Sequence, residues 1–165
     1  MLGFPGTFLD SFTMPTDTSP QELRDRAAIQ DLLATYFAAV DRRDFKLAER
    51  CFASGAVATY GDKGLSGGPR GVVAGIRGLQ SQRSYNFLLN QAITVIGKTG
   101  RSDSYVNAHE VVLRAGKPLL KTQGVRYEDE LIQEAGRWVI AKRTQVVDWE
   151  REDPVELPTA KRREA

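Results

Sequence analysis

The sequence predicts an α+β domain in which a curved, mostly antiparallel β-sheet wraps against helices that precede it. Two observations carry this. The apolar period changes from helical to alternating near residue 83. The alternating half is cut by turn-rich breaks at GKTGRSD, RAGKP and QEAGR, which suit hairpins and a meander. Size agrees, since 165 residues with 41% hydrophobic and 27% charged composition suit one domain with a real core.

Residues 1–19 read as a loose N-terminal arm, residues 20–151 as the domain, and residues 152–165 as a charged tail with two prolines. Ser19, Pro20 and Glu22 supply an N-cap, a first-position proline and a first-turn acid. Ile29, Leu32, Leu33, Tyr36, Phe37 and Val40 then form the stripe of one buried helix face, so a helix is expected over 20–41. A second short helix is expected over Phe45–Phe52, capped by Asp44, with Gly55 as a stop and Ala56–Tyr60 as a short strand. The run GDKGLSGGPRG reads as a connector; Pro69 and Arg70 stand where a phosphate-binding loop needs Lys and Ser/Thr. A third helix over 72–80 is weakened by Gly75 and Gly78. Strands follow over 84–96, 103–115, 118–133 and 137–149, the last bracketed by Trp138 and Trp149.

Composition narrows the function. With 23 basic against 21 acidic residues, no nucleic-acid or anionic-membrane partner is called for. The single cysteine, Cys51, and single histidine, His109, exclude an internal disulfide and a multi-imidazole metal site; a carboxylate-only metal site stays open, but nothing in the spacing calls for one, and neither metal nor cofactor is expected. The N-terminus reads poorly as a signal peptide, and a cytoplasmic setting is the plain expectation.

The candidate site starts at Asp41, four residues after Phe37 on the apolar stripe. Burial and the negative end of the helix dipole both disfavour its anion there, a setting that suits a general base. The alternative is a helix ending at Val40, with Asp41 a solvated turn residue. On the second of the long strands, alternation sets Tyr105, Asn107, His109 and Val111 on one face. That face is polar yet central, which suits a pocket wall, although His109 can equally be a satisfied structural histidine. Asn86, Leu88 and Asn90 share a face one strand earlier. Tyr36 and Tyr60 carry hydroxyls that need partners if buried.

Residues 28–61, AIQDLLATYFAAVDRRDFKLAERCFASGAVATYG, resemble the opening of SnoaL-like proteins in the NTF2-like superfamily. Residues 124–149 resemble the closing hairpin of the same family. The resemblance implies a cone with an internal pocket, dimers or trimers packed through the outer sheet face, and chemistry like that of scytalone dehydratase, hexachlorocyclohexane dehydrochlorinase or bile acid 7α-dehydratase. It makes Asp41 a dyad aspartate, Tyr60 a substrate-contacting tyrosine and Tyr36 a further pocket tyrosine. It also exposes a departure. The dyad histidine falls where this chain has Asn86, which cannot exchange a proton near neutral pH.

The expected activity is therefore a cofactor-independent lyase or isomerase, of dehydratase or cyclase type, acting on a small apolar cyclic or polyketide-like molecule. Asp41 is the expected base, with His109 and Tyr60 as proton donor or oxyanion stabiliser. Tyr36, Asn86, Asn90 and Asn107 position the substrate. The rival is a non-catalytic binding or assembly module that kept the pocket and lost the dyad.

Overall fold

The computed structural model describes residues 18–79 and 83–157. All but the last two residues of the expected arm, and residues 158–165 of the expected tail, lie outside them. Helix α1 runs Pro20–Asp41, with the bounds the caps and stripe predict. Ser19 Oγ accepts the Glu22 amide at 3.1 Å and Pro20 opens the first turn. Ile29, Leu33, Tyr36, Phe37 and Val40 are buried along one side. Each such burial contributes about 1.5–3 kcal/mol, against a few tenths for a surface side-chain pair. Packing on the sheet therefore decides where α1 lies.

Helix α2 is shorter than expected, Phe45–Glu49, capped by Asp44, whose side chain accepts the Leu47 amide at 3.0 Å. Strand β1 then runs Phe52–Tyr60, passing straight through Gly55. The glycine-dense connector holds a short strand, β2 (Lys63–Leu65), and opens helix α3, Gly68–Leu79, four residues before the expected start. Gly68 has φ +66°, and a Cβ there would press on the Ser54 carbonyl, so the helix start requires glycine. Val72, Val73 and Ile76 bury its inner face.

The four long strands are β3 (Arg83–Ile96), β4 (Thr99–Arg114), β5 (Lys117–Glu134) and β6 (Arg137–Pro154). Strand β6 continues into what the sequence reads as tail. The sheet order is β2-β1-β6-β5-β4-β3. Every pairing is antiparallel except β1 with β6, which is parallel. The curved sheet closes over the helices, so its inner face and the α1 stripe form one core. Three register shifts bend the long strands: between Leu88 and Gln91 on β3, and at Gly124/Val125 and Glu130/Leu131 along β5 against β6. Trp138 faces inward and its Nε1 donates to Asp25 Oδ1 at 2.9 Å, tying the end of the sheet to α1. Among the described residues no helix is long and apolar enough to cross a membrane.

Candidate functional site

Between the inner sheet face, the C-terminal half of α1 and the end of α3 lies a cavity of about 210 Å³. Phe37, Val40, Ile76 and Leu79 supply apolar wall. Tyr36, Tyr60, Asn86, Glu110, Lys121 and Gln145 supply the polar groups. A few directed polar groups on an apolar wall are what a small-molecule site needs.

The Tyr36 and Tyr60 hydroxyls lie 2.9 Å apart, brought together by α1 and the end of β1. Burial pushes the Tyr36 hydroxyl up, against the pull of the Arg143 cation. Burial likewise holds the Tyr60 hydroxyl well above the usual phenol range. Both stay protonated, so one hydroxyl of the pair can donate outward to a ligand oxygen. Arg143 sits behind them, fully buried, its guanidinium 4.1 Å from the Tyr36 ring centroid and 4.8 Å from that of Tyr127. Nε and Nη2 of Arg143 each donate to Asp129 at 2.7 Å, while Nη1 has no hydrogen-bond acceptor.

Asp41 is the last helical residue of α1, half-buried rather than solvated. Its Oδ1 accepts from Ser84 Oγ at 3.1 Å and Asn86 Nδ2 at 2.6 Å, and its Oδ2 from the Asn86 amide at 2.9 Å. A carboxylate has about four acceptor sites, so one lone pair on Oδ2 is left. Asn86 therefore reaches the aspartate with both its side-chain and its backbone amide. The cavity wall itself is Val40 and Asn86, with the Asp41 carboxylate anchored just behind them.

Three expected site residues are elsewhere. His109 and Asn107 point to the outer face of the sheet, because the inner face of β4 carries their alternates, Ala108 and Glu110. His109 Nδ1 is 3.3 Å from Thr122 Oγ1, and its ring meets Phe87 edge-on at 5.4 Å. It is 24 residues along the chain from Tyr85 but directly opposite it in the sheet, far side from Asp41. Asn90 falls in the β3 register shift and is exposed. The bulge explains the error. The β3–β4 hairpin starts with Ile96 opposite Thr99, and continuing that register unbroken would set Asn86 opposite His109. The shift sets Asn86 opposite Ala108 instead, which turns His109 outward.

Sequence reasoning missed Glu110, Lys121 and Ser84. Glu110 lies on β4 between two inward-facing neighbours, Ser84 of β3 and Lys121 of β5, its register partners. Burial pushes the Glu110 carboxyl up from its ordinary value, with Lys121 pulling the other way. The signal that could have found it is the small-residue run Ser102, Ser104, Ala108 on the same face, which marks the packed side of the strand. Among the described residues no group of three or more His, Cys, Asp and Glu side chains converges to hold a metal ion.

The profile of the SnoaL-like domain matches residues 21–144, all of the helices and most of the sheet. The chain belongs to the SnoaL-like family. Solved structures of similar fold include a type 2 hexachlorocyclohexane dehydrochlorinase, with TM-score 0.73 and 17% identity over 84% of this SnoaL-like chain and 95% of that one. A proposed scytalone dehydratase from Novosphingobium aromaticivorans has TM-score 0.69 and 16% identity over 81% of this chain and 91% of that one. An NTF2-like protein with a cystatin-like fold, from the same species, has TM-score 0.66 and 18% identity over 78% and 84%. At these identities the likeness carries the fold: an NTF2-like α+β cone. No curated protein matches this sequence.

Proposed function

We propose that this SnoaL-like domain is a cofactor-independent lyase or isomerase that removes an acidic C–H proton from a small, largely apolar cyclic substrate. The observation that carries the reading is the carboxylate of Asp41, held just behind the Val40 and Asn86 wall of the cavity by three donors with one Oδ2 lone pair left. Half-burying an anion at a helix C-terminus is costly, and a second carboxyl, Glu110, is desolvated in the same cavity. Ionisable groups kept in such surroundings mark functional sites. In the proposed reaction Oδ2 of Asp41 takes the proton, and the Tyr36–Tyr60 hydroxyl pair donates to the oxygen on which charge develops. Asn86 aims Asp41, so its contribution is positioning. The domain works as a homodimer or homotrimer in a cytoplasmic setting, without cofactor.

The test uses 5-nitrobenzisoxazole, whose ring opens when a base removes its one acidic C–H proton and releases a coloured nitrophenolate. Asp41→Asn is expected to lower the opening rate by about 10² or more, the usual scale for losing a general base. Equal rates for the two proteins would overturn Asp41 as the base.

A second reading is favoured by one specific finding. His109 faces away from the cavity and bonds to Thr122, so the chain lacks the family's acid–base dyad. A binding module of the same fold would retain the cavity and the tyrosine pair, bind cyclic ketones or phenols, and show no Asp41-dependent turnover.

A further inference from the structure

We propose that Glu110 is the proton donor of this cavity, delivering a proton to the departing oxygen of the substrate. The inference rests on the proton-transfer reading above and supplies the half of the chemistry that Asn86 cannot.

Geometry comes first. Glu110 lines the cavity from β4, on the inner face, in register with Ser84 of β3 and Lys121 of β5. Side chains directly opposite on one sheet face stand with Cβ atoms about 4.5–5.5 Å apart. Ser84 is also the residue whose hydroxyl donates to Asp41 at 3.1 Å. The two carboxyl groups of the site thus flank one serine, which belongs to the neighbourhood of both. Their settings differ. Asp41 accepts three hydrogen bonds, which fix where its carboxylate lies. Glu110 has desolvation as the dominant influence, which favours its neutral acid and pushes its carboxyl up. Two carboxyl groups in different surroundings can divide the roles of base and acid within one site.

The step balances without a co-reactant. Asp41 takes the proton from carbon, the electron pair of that C–H bond becomes the new C=C bond, and the C–O bond to the leaving hydroxyl breaks. The Glu110 acid gives its proton to that oxygen, which leaves as water. Asp41 is then neutral and Glu110 anionic, and the Ser84 hydroxyl offers a path for the proton to return. Lys121 beside Glu110 stabilises the anion formed at this stage; its Nζ is already 3.3 Å from Glu150 of β6, which limits how strongly it pulls on resting Glu110.

Charged groups around Glu110 are therefore Lys121 of β5, backed by Glu150 of β6, Asp62 of the β1–β2 turn and Lys63 of β2 across the cavity, and Asp41 of α1 through Ser84. The α3 side is apolar, Ile76 and Leu79. A donor must be protonated to act, so the rate should fall on the alkaline side as Glu110 ionises.

The experiment compares 5-nitrobenzisoxazole with unsubstituted benzisoxazole, whose phenolate leaves far less readily and needs an acid. Glu110→Gln should lower turnover of the unsubstituted compound at least tenfold more than that of the nitro compound, and should remove the alkaline limb of its pH profile. Equal losses on both compounds, or an unchanged alkaline limb, would overturn the donor role. Asp41→Asn, run beside it, should depress both compounds alike; if it depresses neither, the proton-abstraction reading fails separately. A substrate-independent arm follows the Glu110 carboxyl by ¹³C NMR in glutamate-labelled protein, assigned by its loss in Glu110→Gln. It should titrate above the ordinary value of 4.5. Titration at or below that value would overturn the proposal whatever the turnover.

Discussion

Arg143 and Asp129 are both fully buried and joined by two 2.7 Å bonds, an ion pair at the floor of the site. Tyr36 and Tyr127 stack on the cation. Taking two charges out of water costs several kcal/mol per ion, so the pair serves the site's electrostatics more than its stability. Removing one partner is another matter. Asp129→Asn leaves Arg143 buried without a counter-ion and is expected to cost about 3–5 kcal/mol in chemical denaturation. Replacing both, as Asp129→Leu with Arg143→Met, should recover most of that loss; a single mutant as stable as the parent would contradict the assignment. The three donors converging on Asp41 also set the stability of Asp41→Asn. A strained, unpartnered carboxylate would be lost at no cost, but here the amide retains one acceptor oxygen where Ser84 and Asn86 supply three donors. The variant should be less stable by about 1–2 kcal/mol.

Strand β5 bends where Gly124 lies opposite Trp149 of β6, and a Cβ at position 124 would run into the indole. The glycine makes the seat on which Trp149 rests on the outer face. Gly124→Val should therefore lift Trp149 off the sheet and shift its fluorescence to the red, whereas an unshifted emission would place the ring elsewhere. Elements of this size were the most legible part of the sequence. The cap at Ser19, the stripe from Ile29 to Val40 and the glycine-marked hairpins are local signals, and each reports one element. The site was legible only in part, for a reason that is itself local. Asp41, Tyr36 and Tyr60 sit on α1 or the short strand β1, whose inner faces are fixed by the apolar stripe and by β1's own alternation, and Asn86 lines the cavity from β3. His109 and Asn107 depend on a register carried across the β3–β4 hairpin, and one bulged residue near Asn90 reverses their face. No turn residue announces that bulge. Glu110 was hidden by the same reversal.

At the scale of the molecule, the outer face of the sheet carries Tyr85, Phe87, Leu89, Tyr105 and Trp149, each more than two-fifths exposed. Large apolar side chains gathered on one face suit a self-complementary contact. A homodimer or homotrimer is expected by light scattering at micromolar concentration, and Phe87→Glu should dissociate it; a monomeric parent would contradict this. The inner face is the side that the proton-transfer account depends on, and deuterium exchange tests it without knowledge of the natural substrate. 2-Tetralone, a cyclic ketone with acidic α-protons, is incubated with the protein in D₂O and its deuterium content is followed by mass spectrometry. The account predicts that the protein accelerates α-deuteration and that Asp41→Asn loses that acceleration by about 10² or more. Ketone that binds in the cavity yet exchanges no faster than in buffer would contradict it.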